Sequence, residues 1–300
     1  MNDRATDPAT ESFVAHRNLL FTVAYEMLGS AADAEDVLQE TWLRWIKVDL
    51  EQVRDQRAYL IRITTRQSLN RLRTVQRRRE AYVGAWLPEP LLTTPDVAED
   101  VELSESLSMA LMLVLETLSP TERAVFVLRE AFGIGYDEIA AAVGKTPAAV
   151  RQIAHRARRH VDARRPRAAV SPSQTRAVLG AFRRALETRD LKGLIDTLAP
   201  DVVGISDGGG LKQASPRPVI GAEKVARFII GGLGRAEGLV TVTVDPTMVN
   251  GNPALVLRID GELDGVLAVR VEQARITGLY YVRNPEKLTH LGSETSLTRQ

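Results

Sequence analysis

Arg62, Arg66, Asn70, Arg73 and Arg77 recur at helical spacing. At 100° per residue the four arginines fall within an arc of about 60°. A line of guanidinium groups on one helix face suits a run of phosphates. Beside it, Ala58, Ile61, Thr65, Ser68, Leu69 and Leu72 form a stripe of about 100° that can pack on other helices. A second set is Arg151, Gln152, His155, Arg156, Arg158 and Arg159, opposite Val150, Ile153, Ala154, Ala157 and Val161. Arg, Gln and His in the N-terminal half of a helix can hydrogen-bond base edges in a major groove. Arg158 and Arg159, further along, suit phosphates. Each set could also be the solvated face of an ordinary amphipathic helix. The alignment of the first set, and the turn that precedes the second, favour nucleic acid.

The elements that must carry these residues are legible. Phe13 to Leu28 has helical periodicity and stops at Gly29. A second helix runs from about Ala31 to Lys47 after Ser30, and a third from about Gln56 to Arg79. Ser106 to Leu118 reads as one helix. Pro120 opens the next, which ends at Gly133 and Gly135, and Tyr136 to Val143 is short. Gly144-Lys145-Thr146 is a turn, and Pro147 opens the last helix at its first position with Thr146 as N-cap. From Tyr136 onward this is helix-turn-helix layout.

The chain has 300 residues, no cysteine and a net charge of +1. Without cysteine there is no disulfide scaffold, thiol nucleophile or thiolate-held metal or iron–sulfur site. The first twelve residues, MNDRATDPATES, lack the charged-then-apolar layout of a signal peptide. No apolar run approaches the eighteen or so residues needed to span a bilayer, so a cytoplasmic location is expected. The small net charge conceals segregation. Residues 54–79 hold nine Arg and one acid, residues 96–105 five acids and no base, and residues 145–167 one Lys and seven Arg against Asp162. Two basic blocks around an acidic one point to two anion-binding surfaces.

Pro88, Pro90 and Pro95 make a linker of residues 81–105, and Pro166 and Pro172 mark another at 166–173. The segment Trp86-Leu87-Pro88-Glu89-Pro90-Leu91 is apolar enough to need a docking surface. After it the pattern changes. A helical stretch, about 174–198, precedes a strand at 201–206 and a short helix near 223–230. Four β-rich segments follow, at 239–249, 254–259, 263–271 and 275–282. Helices followed by a meander predict an α+β domain with a curved sheet wrapped on helices. Asp207 before Gly208-Gly209-Gly210 could be a general base at a pocket mouth. The preferred reading is a sharp loop packing its backbone on a neighbour. His16, His155, His160 and His290 form no metal spacing beyond His155 and His160, which read as DNA-facing or solvated. No metal or cofactor is expected.

The ordered set of motifs resembles the extracytoplasmic-function sigma factors of bacterial RNA polymerase. Asp33 to Trp42 resembles the helix that grips the polymerase clamp, which assigns Asp33, Glu35, Asp36, Gln39 and Trp42 to polymerase binding. Ala58 to Ile63 with Arg71 to Arg73 resembles the minus-ten-reading helix. Its implied site is Arg62, Arg66, Asn70, Arg73 and Arg77, with the loop Val48 to Asp55 capturing an unstacked base. Ser119 to Phe126 with the helix-turn-helix resembles the minus-thirty-five-reading domain, where Arg151, Gln152, His155, Arg156, Arg158 and Arg159 would act. Many relatives carry Asn and Asp where this chain has Arg66 and Asn70.

The stretches Trp86-Leu87-Pro88-Glu89-Pro90, Asp207-Gly208-Gly209-Gly210 with Lys212, and Asn284-Pro285-Glu286-Lys287-Leu288 resemble signatures of the sigma J-like subgroup. Its members carry a SnoaL-like, NTF2-like C-terminal domain that is thought to regulate the factor in place of a separate anti-sigma protein. Relatives place Lys directly after the glycines, whereas here Leu211 intervenes. The implied organisation is a multidomain chain. An all-α region-two domain (1–80), the linker (81–105) and an all-α helix-turn-helix domain (106–165) come first. The second linker (166–173) then leads to an α+β NTF2-like cone (174–300). The implied partners are core RNA polymerase, promoter DNA and a small ligand in the C-terminal pocket, with no membrane. Trp86, Leu87, Pro88, Asp207, Gly208, Gly209, Gly210, Asn284, Pro285 and Leu288 are the expected regulatory contacts. The competing readings are an NTF2-like enzyme or ligand sensor fused to a DNA-binding module, and a stand-alone repressor.

Overall fold

The structure is a computed structural model that describes residues 7–93, 100–164, 172–234, 241–292 and 294–299. In chain order the helices are α1 Pro8–Leu28, α2 Ala31–Trp45, α3 Gln56–Glu80, α4 Val101–Ser106, α5 Met109–Leu115, α6 Pro120–Phe126, α7 Tyr136–Val143, α8 Pro147–Asp162, α9 Pro172–Glu187, α10 Leu191–Thr197 and α11 Ala222–Gly234. The strands are β1 Leu198–Asp207, β2 Val219–Ile220, β3 Val242–Val249, β4 Asn252–Ile259, β5 Glu262–Glu272 and β6 Arg275–Val282. Two compact units result. One comprises Met1–Glu80, Val114–Arg165 and Ser296–Gln300; the other comprises Ala81–Leu113 and Pro166–Thr295.

The first unit is helical, and its ends are set by local chemistry. Gly29 stops α1 in the left-handed region at φ 69°, where glycine carries no Cβ penalty. The Ser30 hydroxyl accepts from the Asp33 N–H to start α2. Thr146 caps α8 through the Ala149 N–H, and Pro147 occupies its first turn. Ser119 and Glu122 form a reciprocal capping box at α6. The α1–α2–α3 core buries Leu19, Leu20, Tyr25, Trp45, Leu60 and Leu72, and the Trp45 indole donates to the Ala9 carbonyl at 2.8 Å. In this unit α3 also packs on α6 and α7.

The second unit is α+β. Its six described strands lie in the order β2-β1-β6-β5-β4-β3. The meander β3 to β6 is antiparallel, but β1 pairs β6 in parallel, so the sheet is mixed. The three hairpin turns each carry two consecutive positive φ angles, at Asn250-Gly251, Asp260-Gly261 and Gln273-Ala274. That is the turn geometry that matches strand twist. One apolar cluster packs α9, α10 and α11 on the sheet through Phe182, Leu194, Val225, Leu257, Leu267 and Leu279. A second joins Val249, Val266, Tyr280 and Val282 to Leu87, Met109 and Leu288. Three helices packed on a six-stranded mixed sheet make this the α+β unit that the sequence pattern predicts.

Two expected helices are interrupted. The stretch 106–118 divides because Asp100 caps an earlier helix through the Leu103 N–H and Ser108 starts a new one through the Leu111 N–H. The stretch 174–198 breaks where Arg189 adopts φ 52° and Asp190 caps α10 through the Gly193 N–H.

Candidate functional site

The basic and apolar faces of α8 separate fully. Val150, Ile153, Ala154, Ala157 and Val161 are buried, and Arg151, Gln152, His155, Arg156, Arg158 and Arg159 are all exposed. Arg151 and Arg129 lie over the Tyr136 ring, at 5.7 and 4.6 Å from its centroid, a favourable cation–π setting. Arg158 makes a paired contact with Glu130, and His160 meets the Thr117 hydroxyl at 2.7 Å.

On α3, Ile61, Thr65, Ser68, Leu69 and Leu72 are buried, while Arg66, Asn70 and Arg73 are exposed. Arg62 stacks over Tyr59 at 4.4 Å, and Arg73 donates to the Asn70 side chain. The Arg77 side chain lies outside the described residues. Arg66 is engaged: it donates to the Ala141 and Ala142 carbonyls at 2.8 and 3.3 Å. A cation at these last carbonyls of α7 meets the negative end of the helix dipole. The loop 48–55 contains a single 3-10 turn, Leu50–Gln52, capped by Asp49.

The acids of α2 are also partly committed. Asp33 and Asp36 both hold Arg71, at 2.6 Å to the same terminal nitrogen. These two carboxylates hold the Arg71 guanidinium above its ordinary range, against the opposing pull of burial. Glu35 pairs with Arg17 at 2.8 Å. Gln39 is exposed, and half-buried Trp42 packs on Phe13 with ring centroids 5.2 Å apart. Elsewhere in the unit, Glu116 bridges Arg79 and Arg123. Arg123 is buried and also donates to the Glu26 carbonyl. Burial pulls both guanidiniums below their ordinary range.

In the second unit, three distant segments converge on Asp207, which is fully buried. Its Oδ1 accepts from the Tyr82 hydroxyl at 2.6 Å and the Gly209 N–H at 3.1 Å. Its Oδ2 accepts from the Leu87 N–H at 2.8 Å and Lys287 Nζ at 2.7 Å. Lys287 also donates to the Leu87 carbonyl and lies over the Trp86 and Tyr82 rings. Asn284 donates to the Tyr82 hydroxyl at 2.8 Å. Burial, then the hydrogen bond to Asp207, raises the Tyr82 phenol above its ordinary range. The linker then runs along β3 through isolated bridges: Leu91 and Asn250 exchange hydrogen bonds, and Thr93 N–H reaches the Met248 carbonyl. Leu87 through Leu91 are buried.

The comparisons with known proteins agree with this geometry. Residues 13–79 match the family Sigma-70 region 2, and residues 108–161 match Sigma-70, region 4. The chain is 36% identical to the ECF RNA polymerase sigma factor SigJ of Mycobacterium tuberculosis H37Rv, over 92% of each chain. The chain belongs to the extracytoplasmic-function sigma factors. It is also 34% identical to a probable ECF sigma factor SigI of M. tuberculosis, over 96% of this chain and 97% of that one. The crystal structure of M. tuberculosis SigJ superposes with a TM-score of 0.74 at 33% identity, covering 94% of this chain and 98% of that one. As a sigma factor the protein is a non-enzymatic transcription initiation factor that binds core RNA polymerase and promoter DNA. Among the described residues, no helix is long and apolar enough to cross a membrane.

The sigma factor brings the segments at 82–93, 207–210 and 284–288 to one point, with Pro285 left exposed. Asp207 is enclosed by donors and is not presented at a pocket mouth. Each glycine after it is required. A Cβ at Gly208 would meet the Lys212 carbonyl oxygen at 2.0 Å, one at Gly209 the Asn284 amide at 2.3 Å, and one at Gly210 Val83 at 3.3 Å. Lys212 does not join this cluster. It reaches Asp264 at 3.2 Å, and the inserted Leu211 is 62% exposed. Tyr82, Lys287 and Asn250 make contacts that the motifs alone did not single out. A signal was present for Lys287, which lies inside Asn284-Pro285-Glu286-Lys287-Leu288. Asp96 and Glu99 of the acidic run, and residues 166–171 of the second linker, lie outside the described residues.

Proposed function

We propose that this is the closed form of the sigma factor and that its C-terminal domain restrains opening by holding the linker. In this reading Arg62, Arg66, Asn70, Arg73 and Arg77 hold the opened minus-ten strand. Arg151, Gln152, His155 and Arg156 read the upstream element, with Arg158 and Arg159 on phosphates. Asp36, Gln39 and Trp42, with Asp33 and Glu35 beside them, meet the polymerase clamp. Duplex DNA rises 3.4 Å per base pair, so elements about 25 base pairs apart are separated by about 85 Å. Helices packed in one unit cannot read both at once, and Arg66 is occupied at the end of α7. Regions two and four must therefore part on the promoter. The linker is what joins them. Twelve free residues would reach roughly 40 Å, but Tyr82 to Thr93 are anchored.

The observation that carries this reading is the buried Asp207 accepting from Tyr82, Leu87, Gly209 and Lys287. No separate anti-sigma protein is needed by the scheme, and work on promoter DNA puts the factor in the cytoplasm. Transcription with purified core polymerase tests it. Asp207→Asn, and a chain ending near residue 167, should each raise promoter-specific transcript several-fold over the full-length factor. Unchanged or reduced transcript from both would remove the restraint.

A further inference from the structure

The second unit contains a cavity of about 370 Å³ between the helices and the sheet, within the size range of small-molecule sites. Its walls include Phe182, Leu186, Val225, Leu257, Leu267 and Leu279, and Phe228 stands exposed at its edge. One stretch of wall is polar. Asp264, Tyr281 and Arg283 line it, and Lys212, outside the lining, donates to the same Asp264 carboxylate.

The hydrogen bonding within this polar wall decides what it can receive. Asp264 is buried and accepts from Tyr281 at 2.5 Å, twice from Arg283 at 2.8 and 2.9 Å, and from Lys212 at 3.2 Å. Its acceptor capacity is filled, so it offers nothing further to a ligand and cannot serve as a base. A guanidinium has five N–H donors and an ammonium three. Arg283 uses two on Asp264 and one on the Gln213 carbonyl, and Lys212 uses one. The wall therefore has donors to spare. One carboxylate faces two cations, which leaves a net positive charge.

We propose that this cavity binds a small apolar carboxylic acid, its hydrocarbon body among the leucines and its carboxylate at Arg283, with Lys212 on the same Asp264 supplying further positive charge. The inference does not depend on the linker reading, because the cavity residues named here are distinct from those that grip the linker.

Isothermal titration of the full-length chain tests it, with 2-naphthoate and decanoate as probes and 2-naphthol and decanol as their neutral counterparts. Each acid should bind at least tenfold more tightly than its alcohol. Lys212→Gln, at a part-exposed position that threatens no core, should weaken the acids several-fold and leave the alcohols unchanged. Gly204 lines the cavity, and a Cβ there makes ordinary contacts, with Val225 at 3.5 Å and the Val219 carbonyl oxygen at 3.8 Å, so Gly204→Leu grows into the space and should abolish binding of all four probes. A thermal melt of each variant reports folding. No binding up to millimolar probe, equal binding of acid and alcohol, or acid binding untouched by Lys212→Gln would each overturn the proposal. Full binding by a folded Gly204→Leu would do the same.

Discussion

Two buried carboxylates organise the second unit, and both are structural acceptors. Asp264 itself and the Tyr82 phenol that donates to Asp207 respond to pH in opposite senses. At Asp264, hydrogen bonds from Arg283 and Tyr281 and the nearby positive charge outweigh burial and hold the carboxyl below its usual 3.8. The folded state binds the proton less readily than the unfolded chain. The stabilisation is complete above about pH 4 and is lost as pH falls through the lowered folded value. Thermal melts between pH 5 and 3 should show an acid limb, and Asp264→Asn should flatten it. Tyr82 behaves in the opposite sense. Its raised phenol keeps its proton in the folded state, so its contribution is present below pH 10 and lost as pH rises towards the folded value. A difference absorbance titration of the wild type against Tyr82→Phe should place this phenolate step above the ordinary tyrosine value of about 10. A step at or below 10 would argue against the Asp207 contact.

Short segments do the work of elements here. The turn Gly208-Gly209-Gly210 lets the backbone come within side-chain distance of Asn284 and Val83. Gly209→Ala adds a Cβ at φ 60° where Asn284 already stands, and it should lower the stability of the unit by about 1–2 kcal/mol. The linker contributes as a packed extended segment whose Leu87 is buried in the sheet cluster with Val266 and Leu288. Leu87→Ala should cost about 2–5 kcal/mol, read as a lower midpoint in urea unfolding. It should also raise transcription in parallel with Asp207→Asn, because both changes loosen the same anchor by different means.

For the molecule as a whole, the basic helices should act on DNA only with the polymerase. Neutralising Arg62 and Arg66 together should weaken open-complex formation, seen as reduced permanganate reactivity of the melted strand. The salt dependence of promoter binding should fall by about two in slope, one for each lost phosphate contact. Unaltered open complexes would remove α3 from the strand. Arg66→Ala alone has a second effect in the free factor. It releases the end of α7, so small-angle scattering should report a more expanded chain at low salt even before polymerase is added.

Local structure followed from the sequence because its causes lie within a few residues of one another. The stripe on α3, the Gly29 stop, the Ser30 and Thr146 caps, Pro147, and the Asn-Gly and Asp-Gly turns are all short-range. So is the division of α8 into a buried and a basic face. The breaks at Ser108 and Arg189 escaped because a side-chain cap competes with an otherwise continuous periodicity. What the tertiary structure decided is which polar groups are already spent. Asp33 meets Arg71 across 38 residues, Arg66 meets Ala141 across 75, and Leu87 meets Asp207 across 120. No periodicity encodes such pairings. They exist because packing helices in one unit, and burying an apolar linker on a sheet in the other, bring donors beside acceptors that would otherwise be left desolvated and unpaired.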